Sequence, residues 1–261
     1  MLHRIAATSR ARRSDLAVAG VLLAITAAAW AATAVRMAGM DAGLWTYPDT
    51  LGLFGTTWIS MMAAMMLPST VPTVVAYARA APGDQARRAT LAMTGTFVAG
   101  YLAVWSAAGL IAFALLRLGS TLDSGLFTGN AAGRYLAAGV LLVAAAYELT
   151  PLKRACLRCC TMFPGSLPGR REGGAGALGR GLASGAWCVG CCWALMVTLL
   201  ALGAMSLTWM IVISVIVTAE KLLPSRRLPS FAVAAVLAAL AIGLLVGAPI
   251  PAVPGHGGMS M

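Results

Sequence analysis

The sequence predicts an all-α, polytopic transmembrane helical bundle, and three observations predict it. Of 261 residues, 60% are hydrophobic and 10% are charged, against roughly 45–50% and about 25% in soluble domains. The apolar residues gather in seven runs, each near the ~20 helical residues needed to cross ~30 Å of hydrocarbon. The charges fall almost entirely between those runs, as membrane topology requires. A soluble core is excluded, and residues 1–261 read as a single transmembrane domain.

The first run lies near 16–35 and follows Arg4, Arg10, Arg12 and Arg13. It is longer than the ~7–15 apolar residues of a cleaved signal, so it reads as a retained span. The second, near 52–77, contains Pro68 and Pro72, which membrane helices tolerate where neighbours satisfy the backbone. The third lies near 91–116, and the fourth, near 134–150, stops at Pro151. Residues 151–180 then read as a cytoplasmic loop rich in Cys, Arg and Gly, most flexible over FPGSLPGRREGGAGALGRG from 163 to 181. The last three runs lie near 181–203, 207–223 and 229–248.

A net charge of +11 would suit nucleic acid in a soluble chain. Here its placement points to a lipid bilayer instead. The amino end, Arg79 with Arg87 and Arg88, the 151–180 connection, and Lys221 with Arg226 and Arg227 put 16 of the 19 basic residues on one side. Arg36, Arg117 and Arg134 remain, at span ends where a long side chain reaches the headgroups. The positive-inside rule therefore places the amino end in the cytoplasm and the carboxyl tail outside. No Gly-rich nucleotide loop is present in the sequence.

Sulfur is the unusual element of this chain. The six cysteines form two C-x-x-C-C clusters, Cys156/Cys159/Cys160 and Cys188/Cys191/Cys192. Reduced thiols in that spacing are ligands or redox centres rather than structural disulfides. In WCVGCCWALM, Met196 extends the Cys188–Cys192 stripe by one turn. Arg154 and Arg158 flank the first cluster and favour thiolates there. In WISMMAAMMLP, Met61, Met62, Met65 and Met66 occupy four of six consecutive positions. Methionine often only fills gaps between helices, but a thioether is also a neutral, soft donor that sits in lipid without a carboxylate's desolvation cost. Soft sulfur selects Cu(I) over Mg, Ca or Mn.

Glu148 and Glu220 lie at the ends of the fourth and sixth runs. An ionisable residue there is either functional or paired at the interface. Outside, Met37, Met40 and Asp41 follow the first run, and His256, Met259 and Met261 end the chain in GHGGMSM, weak ligands suited to collecting an ion.

Four blocks, WISMMAAMMLPS (58–69), YELTPLKRACLRCC (147–160), GAWCVGCCW (185–193) and Glu220-Lys221-Leu222-Leu223-Pro224, resemble those of the bacterial family of predicted metal-binding integral membrane proteins, some of which are labelled copper chaperones. The resemblance spans 58–224. It implies a multi-pass protein of the bacterial cytoplasmic membrane, with a functional set made of Met61, Met62, Met65, Met66, both cysteine clusters, Glu148 and Glu220.

The expected function is binding and handing over a soft metal, with Cu(I) foremost and zinc the rival. Cys156, Cys159, Cys188 and Cys191 would make a four-thiolate zinc set. Ligand exchange, not bond-breaking catalysis, would be the mechanism, with lipid around the protein and a metal-donor or metal-acceptor protein as partner. Two alternatives stay open: a thiol–disulfide oxidoreductase using both clusters, and an assembly partner stabilised by a structural metal.

Overall fold

The computed structural model describes residues 2–37, 50–79, 86–122, 131–162, 174–203, 206–223 and 227–247. All regular structure among them is helical: α1 (Leu2–Met37), α2 (Leu51–Arg79), α3 (Ala86–Leu122), α4 (Ala131–Glu148), α5 (Pro151–Met162), α6 (Gly174–Gly203), α7 (Leu207–Leu222) and α8 (Arg227–Leu245). Among the described residues, five helices are long and apolar enough to cross a membrane, or six if the bent pair α4–α5 forms one broken span. Seven crossings were expected. At 16 residues, α7 is only about 24 Å long, short of a full hydrocarbon layer. Large apolar side chains such as Val35, Ile111, Leu115, Val215 and Phe231 stand exposed on the outer faces. A bilayer solvates such faces, so they support a membrane protein.

The 151–180 segment departs from its expected loop character. Residues 151–162 are helix and α6 begins at Gly174, while 163–173 lie outside the described residues. The local signals are sound. Leu149 and Thr150 close a tight turn onto Ala146 and Tyr147, the Thr150 hydroxyl accepts from the Lys153 amide at 3.2 Å, and Pro151 takes the first helical position, where its missing N–H costs nothing. Lys153, Cys156, Leu157 and Cys160 then repeat at i, i+3, i+4 and i+7, the spacing of one buried helical face. All four are buried. The axis turns 70° between α4 and α5, which folds that face back against α6.

Glycine allows a close approach between α3 and α6. A methyl group on Gly100 would lie 2.6 Å from the Leu178 carbonyl oxygen, and one on Gly185 would lie 3.0 Å from that of Tyr101. On Gly181 it would overlap the Phe97 carbonyl outright. Gly181 and Gly185 thus form the small-xxx-small pattern by which membrane helices bring their backbones together. We expect Gly181→Ala to lower the melting temperature in detergent, at an overpacking cost of about 1–3 kcal/mol. Gly179→Ala, whose methyl meets nothing within 4 Å, should leave it unchanged. Equal melting of the two variants would refute the close approach.

Elsewhere α2 packs on α1, α3 and α7, and α4 packs on α8. The Trp58 indole N–H donates to the Trp105 carbonyl at 2.8 Å, with its ring set over Gly109. This fixes the methionine run of α2 in register with α3. The Ser206 side chain caps α7 through the Trp209 amide, and α7 ends just before Pro224, as a following proline demands.

Candidate metal centre

Tertiary structure brings together three of the six cysteines. The sulfurs of Cys160, Cys188 and Cys191 lie within 4.8 Å of one another, all three buried. Cys160 comes from α5, and Cys188 and Cys191 are one turn apart on α6. At a thiolate–metal bond of about 2.3 Å, the zinc value, a trigonal set of sulfurs needs spacings of about 4 Å. The observed spacing is close to that, and the donors are those a soft ion prefers. Cys192 stands beside it, its sulfur 3.3 Å from that of Cys191, and Met196 is buried one turn further along α6.

This pairing differs from the four-thiolate zinc set expected above. Cys156 packs over Gly190, where an added methyl would sit 3.1 Å from its sulfur. Cys159 is only half-buried and stands outside the cluster. One turn beyond Cys156, Cys160 clears Gly190 and reaches the α6 thiols. Each C-x-x-C-C motif thus contributes to the cluster, Cys160 from α5 and Cys188 with Cys191 from α6.

Cys188 has the richest surroundings of the three. The Tyr101 hydroxyl of α3 donates to its sulfur at 2.9 Å. The buried Lys221 ammonium of α7 donates to the same sulfur at 3.2 Å and to the Ser69 hydroxyl at 2.9 Å. Ser69 in turn donates to the Met66 carbonyl at 2.7 Å. A chain of donors therefore joins the end of the methionine run to the cysteine cluster. Cys191 points its thiol at the Cys188 carbonyl, 3.2 Å away.

Met61, Met62, Met65 and Met66 are all buried, in the same apolar core as Cys156, Cys160, Cys188, Cys191, Cys192 and Met196. At 3.6 residues per turn the four span an arc of about 140°, less than half the circumference of α2. They are buried together because α1, α3 and α7 close around α2. Met37 is buried in the same core. His256, Met40, Asp41, Met259 and Met261 lie outside the described residues.

Glu148 and Glu220 are not in the thiol cluster. Both bond to Lys153: its ammonium donates to both oxygens of Glu220 at 2.8 Å and to Oε2 of Glu148. Ser230 of α8 adds a donor to Glu220 at 3.3 Å. These two carboxylates and Lys153 form an ion-paired triad.

Sequence reasoning missed Lys153 and Lys221, counting both among the interfacial positive charges. Both are buried. A signal existed: they are the chain's only lysines against 17 arginines, and each sits inside one of the four blocks. Those blocks meet in space. Lys221 joins the fourth to the first and third, Lys153 joins the second to the fourth, and the Tyr147 hydroxyl joins the second to the third by donating to the Gly190 carbonyl at 2.5 Å.

Against this geometry, the family model described as copper chaperone matches residues 55–244. The chain belongs to the copper chaperone family. The match takes in all four blocks and every residue of the thiol cluster and the triad. No curated protein and no solved structure gives a significant match. Family membership and a buried cluster of soft ligands agree on metal binding, and the description of the family points to copper.

Proposed function

We propose that this membrane protein binds Cu(I) at Cys160, Cys188 and Cys191 and passes it to a protein partner by ligand exchange. The convergence of three soft donors from two helices, in a chain of the copper chaperone family, carries this reading. Three thiolates around a monovalent ion carry two excess negative charges, and the Lys221 ammonium offsets one of them. The thioethers of Met61, Met62, Met65 and Met66 offer a neutral relay in the same core. In this proposal the protein resides in the bacterial cytoplasmic membrane, amino end inside, and His256 and the outer methionines collect the ion.

Cu(I) titration of the reduced, purified protein against a competing chelator tests it. Wild type and Cys159→Ala should bind alike. Cys160→Ala should bind at least ~10-fold more weakly, since even loss of an outer-shell partner costs about 10–100-fold. Unchanged affinity in Cys160→Ala sinks the site. Elemental analysis of protein purified under reducing conditions separates copper from zinc.

A second reading, thiol–disulfide exchange, is favoured by the proximity of the same sulfurs, Cys191 and Cys192 being 3.3 Å apart. Alkylation trapping in cells decides between them: a copper carrier keeps these thiols reduced, and an oxidoreductase shows a cycling disulfide.

A further inference from the structure

The triad at the α4–α5 bend holds two carboxylates and one ammonium, and that count does not balance. Fully ionised, Glu148, Glu220 and Lys153 carry a net charge of −1. The side chains of all three are at most 2% exposed. Lys153 satisfies both oxygens of Glu220 but only Oε2 of Glu148, and Oε1 of Glu148 is buried with no hydrogen-bond partner. An isolated anionic oxygen removed from water is among the most expensive groups a protein can bury. Two carboxylates forced to share a site do not both ionise freely.

Among the described residues, the other charged side chains of these helices bond elsewhere or stand away from the triad. On α4 the other charged residue, Arg134, stands at the opposite end of the helix. On α5, Arg154 turns back to the Thr150 carbonyl at 3.5 Å, and Arg158 lies on the exposed side of the helix. Lys221 of α7 is committed to Ser69 and Cys188, and α6 contributes only Arg180, thirteen residues from Trp193, which packs on Tyr147. From α8 comes the Ser230 hydroxyl. The side chain of Arg227, the only charged residue of α8, is outside the described ones.

We propose that this triad is a proton-binding site, which holds one proton at neutral pH beyond the three on the lysine ammonium. The proton adds to the carboxylate of Glu148, Oε1 becomes a hydroxyl, and the charge of the triad goes from −1 to zero. Its release restores −1. The site sits at a mechanical joint, because Lys153 holds α5 to α4 and α7 just past the 70° bend. Cys160 lies seven residues on, along the same face of α5. The proton and the metal ligand therefore share one helix, and the chain gains a group through which a proton gradient can act on the cluster. The site itself stands independently of the copper reading.

Infrared spectroscopy of the metal-free protein tests it, so failure of copper binding leaves the result intact. At neutral pH the wild type should show the carbonyl stretch of a protonated carboxylic acid. Carboxyl-¹³C labelling of glutamate should shift that band without any substitution, and it should survive Glu172→Gln, the remaining glutamate of the chain. Its loss in Glu148→Gln or in Glu220→Gln would assign it to the triad. Absence of the band in wild type, or its persistence in both triad variants, overturns the proposal. If neither triad variant folds, the labelled wild type with Glu172→Gln still decides.

Discussion

Lys153→Met is expected to destabilise the protein by about 3–5 kcal/mol, the cost of removing one partner from a buried ion pair. The ammonium is the shared counter-charge for Glu148 and Glu220. Without it, two carboxyl groups face each other out of reach of water, with the Ser230 hydroxyl still donating to Glu220. Thermal melting in detergent should show a clear drop. Lowering the pH should recover part of it, because a protonated carboxyl neither repels its neighbour nor needs a counter-ion. The arithmetic differs if the whole triad is neutralised. Adding Glu148→Gln and Glu220→Gln to Lys153→Met should restore most of the stability, since replacing all members of a buried ionic group costs far less than stranding one. A triple variant as unstable as the single one would mean that Lys153 acts through packing and not through charge.

The same substitution also reports on the thiol cluster. α5 is short, and its placement rests on the α4–α5 turn, the lysine and its packing on α6. Loosening the lysine should therefore weaken metal binding by moving Cys160, while Cys188 and Cys191, both on α6, keep their mutual spacing.

Much of this architecture was legible in the chain, and the reasons are specific. Apolar runs of membrane length and the sulfur-rich segments are properties of single helices, and each was readable from local pattern. The Lys153, Cys156, Leu157, Cys160 period was also readable, yet its Arg and Cys content suggested a solvated loop and hid the helix. Which cysteines unite was not legible. Cys156 and Cys160 share a face of α5, and what separates them is Gly190 on another helix, whose bare backbone seats the sulfur of Cys156. The role of Lys221 was hidden for a similar reason. From sequence it is one more positive charge beside a span end, whereas packing α7 between α2 and α6 leaves it facing Ser69 and Cys188. Sequence shows which atoms can bind a soft ion, and helix packing decides which of them meet.

Cys188 is where that distinction can be tested most sharply, because two roles fall on one sulfur. It is a member of the soft-ligand cluster, and it is the acceptor for the Tyr101 hydroxyl and the buried Lys221 ammonium. Cys188→Ala removes both roles. It should abolish high-affinity Cu(I) binding, and it should also destabilise the apoprotein by about 1–3 kcal/mol or more, the cost of leaving buried donors unsatisfied. Cys188→Ser separates the roles: the hydroxyl still accepts from Tyr101 and Lys221, but a hard oxygen replaces the soft donor. The serine variant should therefore melt close to wild type and still fail to compete for Cu(I). If serine binds copper as well as cysteine does, Cys188 is no ligand. If serine is as unstable as alanine, the two donors do not depend on an acceptor at this position, and Lys221 must be held by other groups.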